Sequence, residues 1–193
     1  MKKIITLVTA MAISVVTFAQ TTWKVDPSHS SVSFSVSHLV ISEVDGTFKT
    51  FNGGLTTDSN DFSNANFSFE IDVNSINTQN KKRDQHLKSQ DFFYTKKHPK
   101  MTFKSTSFQK TKGNKYILKG NITMRGVTKS ITLNVKYGGT AKDGYGNTKA
   151  GFIITGSLNR IDFGVAWNSK TKNGGLTVGE KINLVVKLEF VKQ

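Results

Sequence analysis

The stretch Ser31–His38 reads SVSFSVSH, in which serine alternates with an apolar residue until His38 takes the last apolar position. A repeat of two residues places successive side chains on opposite faces of an extended chain. The pattern therefore predicts a β-strand with one apolar face, formed by Val32, Phe34 and Val36. His38 shares the parity of these residues and is expected to point to the same side.

The same alternation recurs along the rest of the chain. Regular or partly regular strand patterns cover seven further ranges: 46–57, 67–73, 101–108, 116–124, 131–137, 151–160 and 182–190. Turn signals such as Asn52-Gly53, Arg125-Gly126 and Asn173-Gly174 separate them. About eight strands joined by short turns predict a single all-β antiparallel domain.

The apolar parity leaves the architecture open. A sandwich would use the apolar face as a solid core, whereas a barrel of this size can be filled by side chains or can hold one small ligand. An outer-membrane barrel would turn the apolar parity outward, but the strands lack the aromatic girdles expected at both ends. Parity alone does not separate the sandwich from the barrel.

One stretch interrupts the strand pattern, namely residues 79–99, QNKKRDQHLKSQDFFYTKKHP. Its first part is charged, is rich in helix formers and has no β-branched residue before Thr95. It then becomes aromatic at Phe92 and ends at Pro99. We predict a short helical insertion around 79–92 that caps one end of the domain or guards the mouth of a ligand site.

The first nineteen residues have the pattern of a signal peptide. Lys2 and Lys3 precede an apolar run, and Thr17-Phe18-Ala19 fits the small-x-small cleavage rule, so we expect cleavage after Ala19. Residues 20–193 then form the mature domain, in the periplasm or secreted. The formal charge falls from +14 to +12 once Lys2 and Lys3 are removed. For an exported chain without a nucleic-acid motif, we expect no nucleic-acid partner. The charge is explained first by a solvated basic surface that aids solubility, and transient contact with an anionic membrane surface is the functional alternative.

The search for catalytic and metal-binding motifs is mostly negative. The chain has no Cys, no G-x-S-x-G elbow, no phosphate-binding loop and no pair of histidines at a zinc spacing. We therefore predict no catalytic residue, no metal site and no cofactor. His29 is expected to hydrogen-bond within a turn, and Arg160 and Asp162 are expected to hold a loop in place.

Several motifs occur in an order and spacing that resembles the YceI family of exported bacterial lipid-binding proteins. They are Trp23-x-Val25-Asp26-x-x-His29-Ser30, Gly46-Thr47-Phe48, Arg83-Asp84-x-His86-Leu87, His98-Pro99-x-Met101-Thr102-Phe103, Gly120-Asn121-Ile122-Thr123-Met124-Arg125-Gly126 and Asn159-Arg160-x-Asp162-Phe163-Gly164. The resemblance runs from Trp23 nearly to the last residue. It implies a single elongated, lipocalin-like antiparallel barrel whose lumen holds a long apolar chain: an isoprenoid, a quinone or a fatty-acyl lipid.

This resemblance and the strand parity together predict the ligand site. Ten residues are expected to line the tunnel: Phe34, Val36, Phe67, Phe69, Leu118, Ile122, Leu133, Val135, Leu184 and Val186. Arg83, His86 and His38 are hypothetical contacts for a head group at the mouth, because they can donate hydrogen bonds to a diphosphate or a quinone. Two alternatives remain: a hydrolase or isomerase acting on an amphiphilic lipid, with His38 in the tunnel, and a structural or stress-response protein without a ligand. The oligomeric state is not predicted.

Overall fold

The structure is a computed structural model that describes residues 20–171 and 174–193. The predicted signal peptide, residues 1–19, lies outside the described residues, as does Asn173 of one predicted turn. The expectations about cleavage and export therefore stay predictions.

Strands make up most of the described chain, in agreement with the predicted all-β class. In chain order the elements are β1 (Thr21–Val25), β2 (Ser31–His38), β3 (Ser42–Phe48), β4 (Phe51–Thr57), β5 (Asn66–Asp72), β6 (Ile76–Asn77), α1 (Lys81–Lys88), β7 (Lys100–Lys110), β8 (Lys115–Met124), β9 (Val127–Lys142), β10 (Thr148–Asn159) and β11 (Val178–Lys192). All strand pairings are antiparallel. No helix in the described ranges has the length and apolar character needed to cross a bilayer.

Eight strands close into a barrel. The ring runs β1-β4-β5-β7-β8-β9-β10-β11 and returns to β1 through the pairing of Trp23 with Lys192. Beyond short breaks in the chain, the line of β1 is continued by β2, that of β4 by β3 and that of β5 by β6. For example, β2 pairs with the same edge of β11 as β1 does. The predicted barrel of about eight strands is confirmed, although the expected continuous strand at 46–57 is broken between Phe48 and Phe51.

One end of the barrel is filled with aromatic side chains. Phe62 enters from the loop between β4 and β5, in a left-handed conformation (φ 61°), and is 2% exposed. Its ring centroid lies 5.1 Å from that of Trp23 and 5.2 Å from that of Phe152. The hydroxyl of Tyr116 donates to the Asp61 carbonyl oxygen (2.6 Å) and holds this loop against the barrel. We call this half of the barrel the packed end.

At the other end the barrel wall has a gap between β6 and β7, since β6 pairs with β3 and β7 pairs with β5 and β8. Residues 79–99, which we call the cover segment, lie across this gap. Helix α1 begins where the Asn80 side chain accepts a hydrogen bond from the Arg83 N–H (3.0 Å), and it ends at Lys88. The predicted helical insertion around 79–92 is therefore present, but the helix ends at Lys88. The remainder of the cover segment consists of turns and irregular structure.

An ion-pair cluster stabilises the closure of the barrel near β1. The ammonium of Lys149 on β10 lies 2.8 Å from Asp26 Oδ2 and 3.0 Å from Glu189 Oε1 on β11. Asp26 follows β1 directly, so the cluster joins β1, β10 and β11 through side chains that are only partly exposed. Lys149, with smaller contributions from Ser28 and His29, holds the pKa of Asp26 well below its ordinary value.

We expect Asp26→Asn to lower the free energy of unfolding by about 1–2 kcal/mol near neutral pH, because the negative charge that pairs with the Lys149 ammonium is lost. The folded-state pKa of Asp26 is depressed, so its contribution is fully present above the unfolded pKa of about 3.9 and declines as pH falls towards the folded value. Urea denaturation of both proteins should therefore show a difference that narrows below about pH 4. Asp45→Asn, at an exposed carboxylate on β3, is the control. A difference that stays constant from about pH 7 to about pH 2 would contradict this account.

Candidate functional site: an apolar cavity inside the barrel

The half of the barrel beyond the packed end is hollow. Its cavity measures about 170 Å³ and is bounded by β2, β3, β5, β7–β11, the cover segment and the connection between β10 and β11. Leu87, Phe92 and Phe93 of the cover segment face into it. Among the described residues, no polar atom is exposed on the cavity wall, so the cavity can contact hydrocarbon but offers no hydrogen bond.

The structure brings together most of the residues predicted to line a tunnel. Nine of the ten contribute to the cavity wall: Phe34, Val36, Phe67, Phe69, Leu118, Ile122, Leu133, Leu184 and Val186. Val135 also points inward but is buried outside the cavity, where it pairs with Tyr116 and Ile154 towards the packed end. That these side chains contact a lipid stays a prediction.

Further lining residues come from positions that the sequence analysis did not select. Ile71, Met124, Ile131, Ile182 and Leu188 share the parity of selected neighbours, so parity could have found them. Others come from less regular segments: Phe48, Leu87, Phe92, Phe93, Met101, Phe103, Ile154, Leu158 and Val165. In β7 the pairing with β8 shifts between Ser105 and Ser107. This shift exchanges the alternate positions that face the interior along that strand.

Arg83 has a local structural role. Its Nε donates to Thr78 Oγ1 (2.8 Å) and its Nη2 to the Thr78 carbonyl oxygen (2.7 Å). Asp84 accepts from the Thr78 N–H and hydroxyl, so the two charged side chains attach α1 to the end of β6. These bonds use part of the hydrogen-bonding capacity that a head group would need.

The two histidines proposed as head-group contacts also lie outside the cavity wall. His86 Nε2 lies 2.9 Å from Asp91 Oδ2, and its ring packs edge-on against Phe92 and Trp167. His38 ends β2 opposite Val178, partly exposed beyond the cavity. The hypothesis that Arg83, His86 and His38 contact a head group stays a prediction, and it now requires the head group to lie outside the lumen.

Arg160 is the buried charged residue of the site. It is 3% exposed, and its guanidinium donates to the carbonyl oxygens of Val165 (2.5 Å), Trp167 (2.9 Å), Val178 (3.1 Å) and Gly179 (2.8 Å). Burial lowers the pKa of this guanidinium, and the charge of Glu180 opposes the effect. Arg160 therefore holds both ends of the connection between β10 and β11 against the cavity, in agreement with its expected role in a loop.

Arg125 links the two segments that close the cavity, which the sequence did not predict. It lies in the turn between β8 and β9 in a left-handed conformation (φ 51°). Its guanidinium donates to the Gln90 carbonyl oxygen of the cover segment (2.9 Å) and to the Gly164 carbonyl oxygen beyond β10. In the sequence, Arg125 belongs to a turn signal and to a family motif, and neither pattern indicates this link.

The one grouping of acidic and histidine side chains with metal-like spacing in the described ranges is Asp26, His29 and Glu189. The ammonium of Lys149 lies between the two carboxylates and supplies the positive charge. Ser28 Oγ and Asp26 Oδ2 both approach the same ring nitrogen of His29, at 3.1 and 2.9 Å. A catalytic triad needs them on opposite nitrogens, so this arrangement is a turn rather than a nucleophile.

Comparisons with known proteins agree with this architecture. The sequence profile of the YceI-like domain matches residues 23–190, nearly the whole described chain. The chain belongs to the YceI-like family. The resemblance noted in the sequence motifs is thereby confirmed.

Relatives of this YceI-like chain are known from sequence and structure. A UPF0312 protein of Staphylococcus aureus (strain N315) is 36% identical over 171 residues, which are 88% of this chain and 97% of the relative. The crystal structure of the Campylobacter jejuni YCEI protein matches with a TM-score of 0.69 at 34% identity, covering 81% of this chain and 90% of that one. A polyisoprenoid binding domain from Saccharophagus degradans matches with a TM-score of 0.64 at 15% identity, covering 89% of this chain and 98% of that one, and shows the shared fold.

Proposed function

We propose that this YceI-like protein binds a long-chain isoprenoid or a similar amphiphilic lipid and carries it in the barrel cavity. The observation that supports this proposal is the wall of the cavity, on which no polar atom of the described residues is exposed. A quinone or fatty-acyl chain has the same apolar body. In each case a segment of the hydrocarbon body lies inside and the polar head remains outside the wall.

Burial of hydrocarbon provides the binding free energy. At about 25 cal/mol per Å² of apolar surface removed from water, a chain that fills the cavity is stabilised without directional contacts. The packed end sets the depth that the chain can reach, because the aromatic side chains there leave no continuous channel through the described barrel. A cavity of this kind selects for length and shape of the hydrocarbon rather than for its functional groups.

The apolar wall of the cavity also favours a carrier function over an enzymatic one. A hydrolase or isomerase needs titratable groups within hydrogen-bond reach of the reacting atoms, and His38, the candidate for that role, lies outside the wall. The polyisoprenoid binding domain from Saccharophagus degradans has the same fold, which favours an isoprenoid as the first ligand to test. We propose that the protein performs this role after export, in the periplasm or outside the cell.

Organic extraction of the purified protein followed by mass spectrometry tests the proposal, with native mass spectrometry of the intact protein beside it. We expect one lipid per chain, with a hydrocarbon body of isoprenoid, quinone or fatty-acyl type. Protein that is empty after purification is then incubated with a polyprenyl phosphate or a ubiquinone and measured again. A protein that is empty and also takes up neither lipid would refute the carrier function.

A further inference from the structure

The hairpin between β2 and β3 ends in three exposed aliphatic residues, Leu39, Val40 and Ile41, which we call the apolar tip. Their exposed fractions are 39%, 70% and 85%. Aliphatic side chains in water at a turn contribute nothing to the core of the barrel. A backbone hydrogen bond joins the tip to the connection between β10 and β11, with the Leu39 N–H donating to the Thr177 carbonyl oxygen (2.9 Å).

The backbone of the apolar tip is unfavourable for its sequence. Leu39 and Val40 both have positive φ, at 53° and 65°, and the Ile41 N–H donates to the His38 carbonyl oxygen (3.2 Å). Two central residues with positive φ are the type I′ pattern, which strongly prefers Asn-Gly. A β-branched residue such as Val40 is a rare occupant of this region. Backbone strain of this kind is concentrated at functional positions.

The apolar tip lies just beyond the end of the cavity. Val36 of β2 and Val178 of β11 line the cavity, and Val178 pairs with His38, the residue before the tip. The tip therefore projects from the end of the barrel that holds the cavity, opposite to the packed end.

We propose that the apolar tip inserts into a lipid bilayer and docks the cavity end of the barrel on the membrane surface, a step that rests on the proposed carrier function. The exposed surface of these three side chains is far smaller than the roughly 800 Å² that each partner buries in a stable protein dimer, which argues against a second copy as the occupant. A bilayer accepts such a small convex tip, because its interfacial region admits apolar side chains. The net charge of +12 after Ala19 attracts the protein to anionic lipids at long range.

Local charges indicate that the insertion itself is apolar. Among the described residues, the exposed charges on the strands that pair with the end of β2 carry both signs: Glu43 on β3, and Glu180 and Lys181 on β11. Attraction by the whole chain should weaken in salt, whereas burial of the aliphatic side chains should not. Docking is therefore expected to persist at high ionic strength.

The test is cosedimentation of the purified protein with vesicles of phosphatidylcholine containing a minor fraction of phosphatidylglycerol, at low and high salt. The tip variant is Leu39→Asn/Val40→Gly/Ile41→Thr, which suits the turn and should keep or raise the urea midpoint. Its vesicle affinity should fall by about tenfold or more. The matched control is Tyr145→Thr, since Tyr145 is 94% exposed in the turn between β9 and β10 at the opposite end of the barrel. The control should bind as the unchanged protein does.

Three results would overturn the docking proposal. They are unchanged vesicle binding by the tip variant, no binding by the unchanged protein, and a dimer in sedimentation velocity that the tip variant abolishes, which would assign the tip to a second copy. The lipid extraction described above is independent of vesicle binding. An extracted lipid with no docking refutes only this inference, whereas docking with an empty cavity refutes only the carrier function.

Discussion

Val186→Lys is expected to abolish lipid uptake. Val186 lies in β11, lines the cavity and pairs with Val32 and Ile154, so the new ammonium would enter a space with no acceptor on its wall. Burial of an unpaired charge costs several kcal/mol, which corresponds to a loss of at least about a hundredfold in affinity for a polyprenyl or quinone ligand. The measurement is lipid titration followed by native mass spectrometry.

The matched control is Val185→Lys, which makes the same substitution one residue earlier in the same strand. Val185 is 40% exposed on the outer face of the barrel, between Ser33 and Thr155 of the neighbouring strands. We expect this variant to fold and to bind lipid normally. Equal binding by Val186→Lys and Val185→Lys would show that the cavity is not the lipid site.

A charged cavity could also prevent folding, so an apolar variant accompanies Val186→Lys. Leu184→Trp adds volume to the cavity wall without a charge and should leave the barrel folded, with the ligand excluded by lost space. A folded Leu184→Trp variant that retains full lipid binding would contradict the proposed location of the ligand, whatever the outcome for Val186→Lys.

Arg160→Met should cause the largest loss of stability, about 3 kcal/mol, because four carbonyl oxygens lose a charged donor in a buried position. For a domain of this size the loss corresponds to a decrease in Tm of roughly 6–12 °C. Thermal and urea denaturation provide the measurement. Arg160→Lys should recover only part of the difference, since an ammonium cannot reproduce the planar arrangement of donors.

Arg83→Met is the comparison for Arg160→Met. Arg83 is partly exposed, and among the described residues its guanidinium donates only to Thr78, so its replacement should cost about 1 kcal/mol. If both variants lose the same stability, then water replaces the Arg160 guanidinium at the carbonyl oxygens. The connection between β10 and β11 would in that case be held by its apolar contacts.

The sequence by itself determined the strands, their inward faces and the interruption at 79–99. These features follow from patterns within a few residues: the alternation of Ser31–His38 makes any extended conformation two-faced, and the charged stretch before Phe92 has no strand pattern. Local patterns of this kind are sufficient to assign Val186 and Val135 to the same inward face.

Only the tertiary structure decided where the interior is filled and where it is hollow. Val135 and Val186 both lie on the inward faces of their strands. Val135 lies towards the packed end, which Phe62 fills from a loop, whereas Val186 lines the cavity. The roles of Arg160 and Arg125 likewise depend on carbonyl groups up to 39 residues away in the chain. Alternation is a property of neighbouring residues, but a cavity exists only where side chains from many distant strands fail to meet.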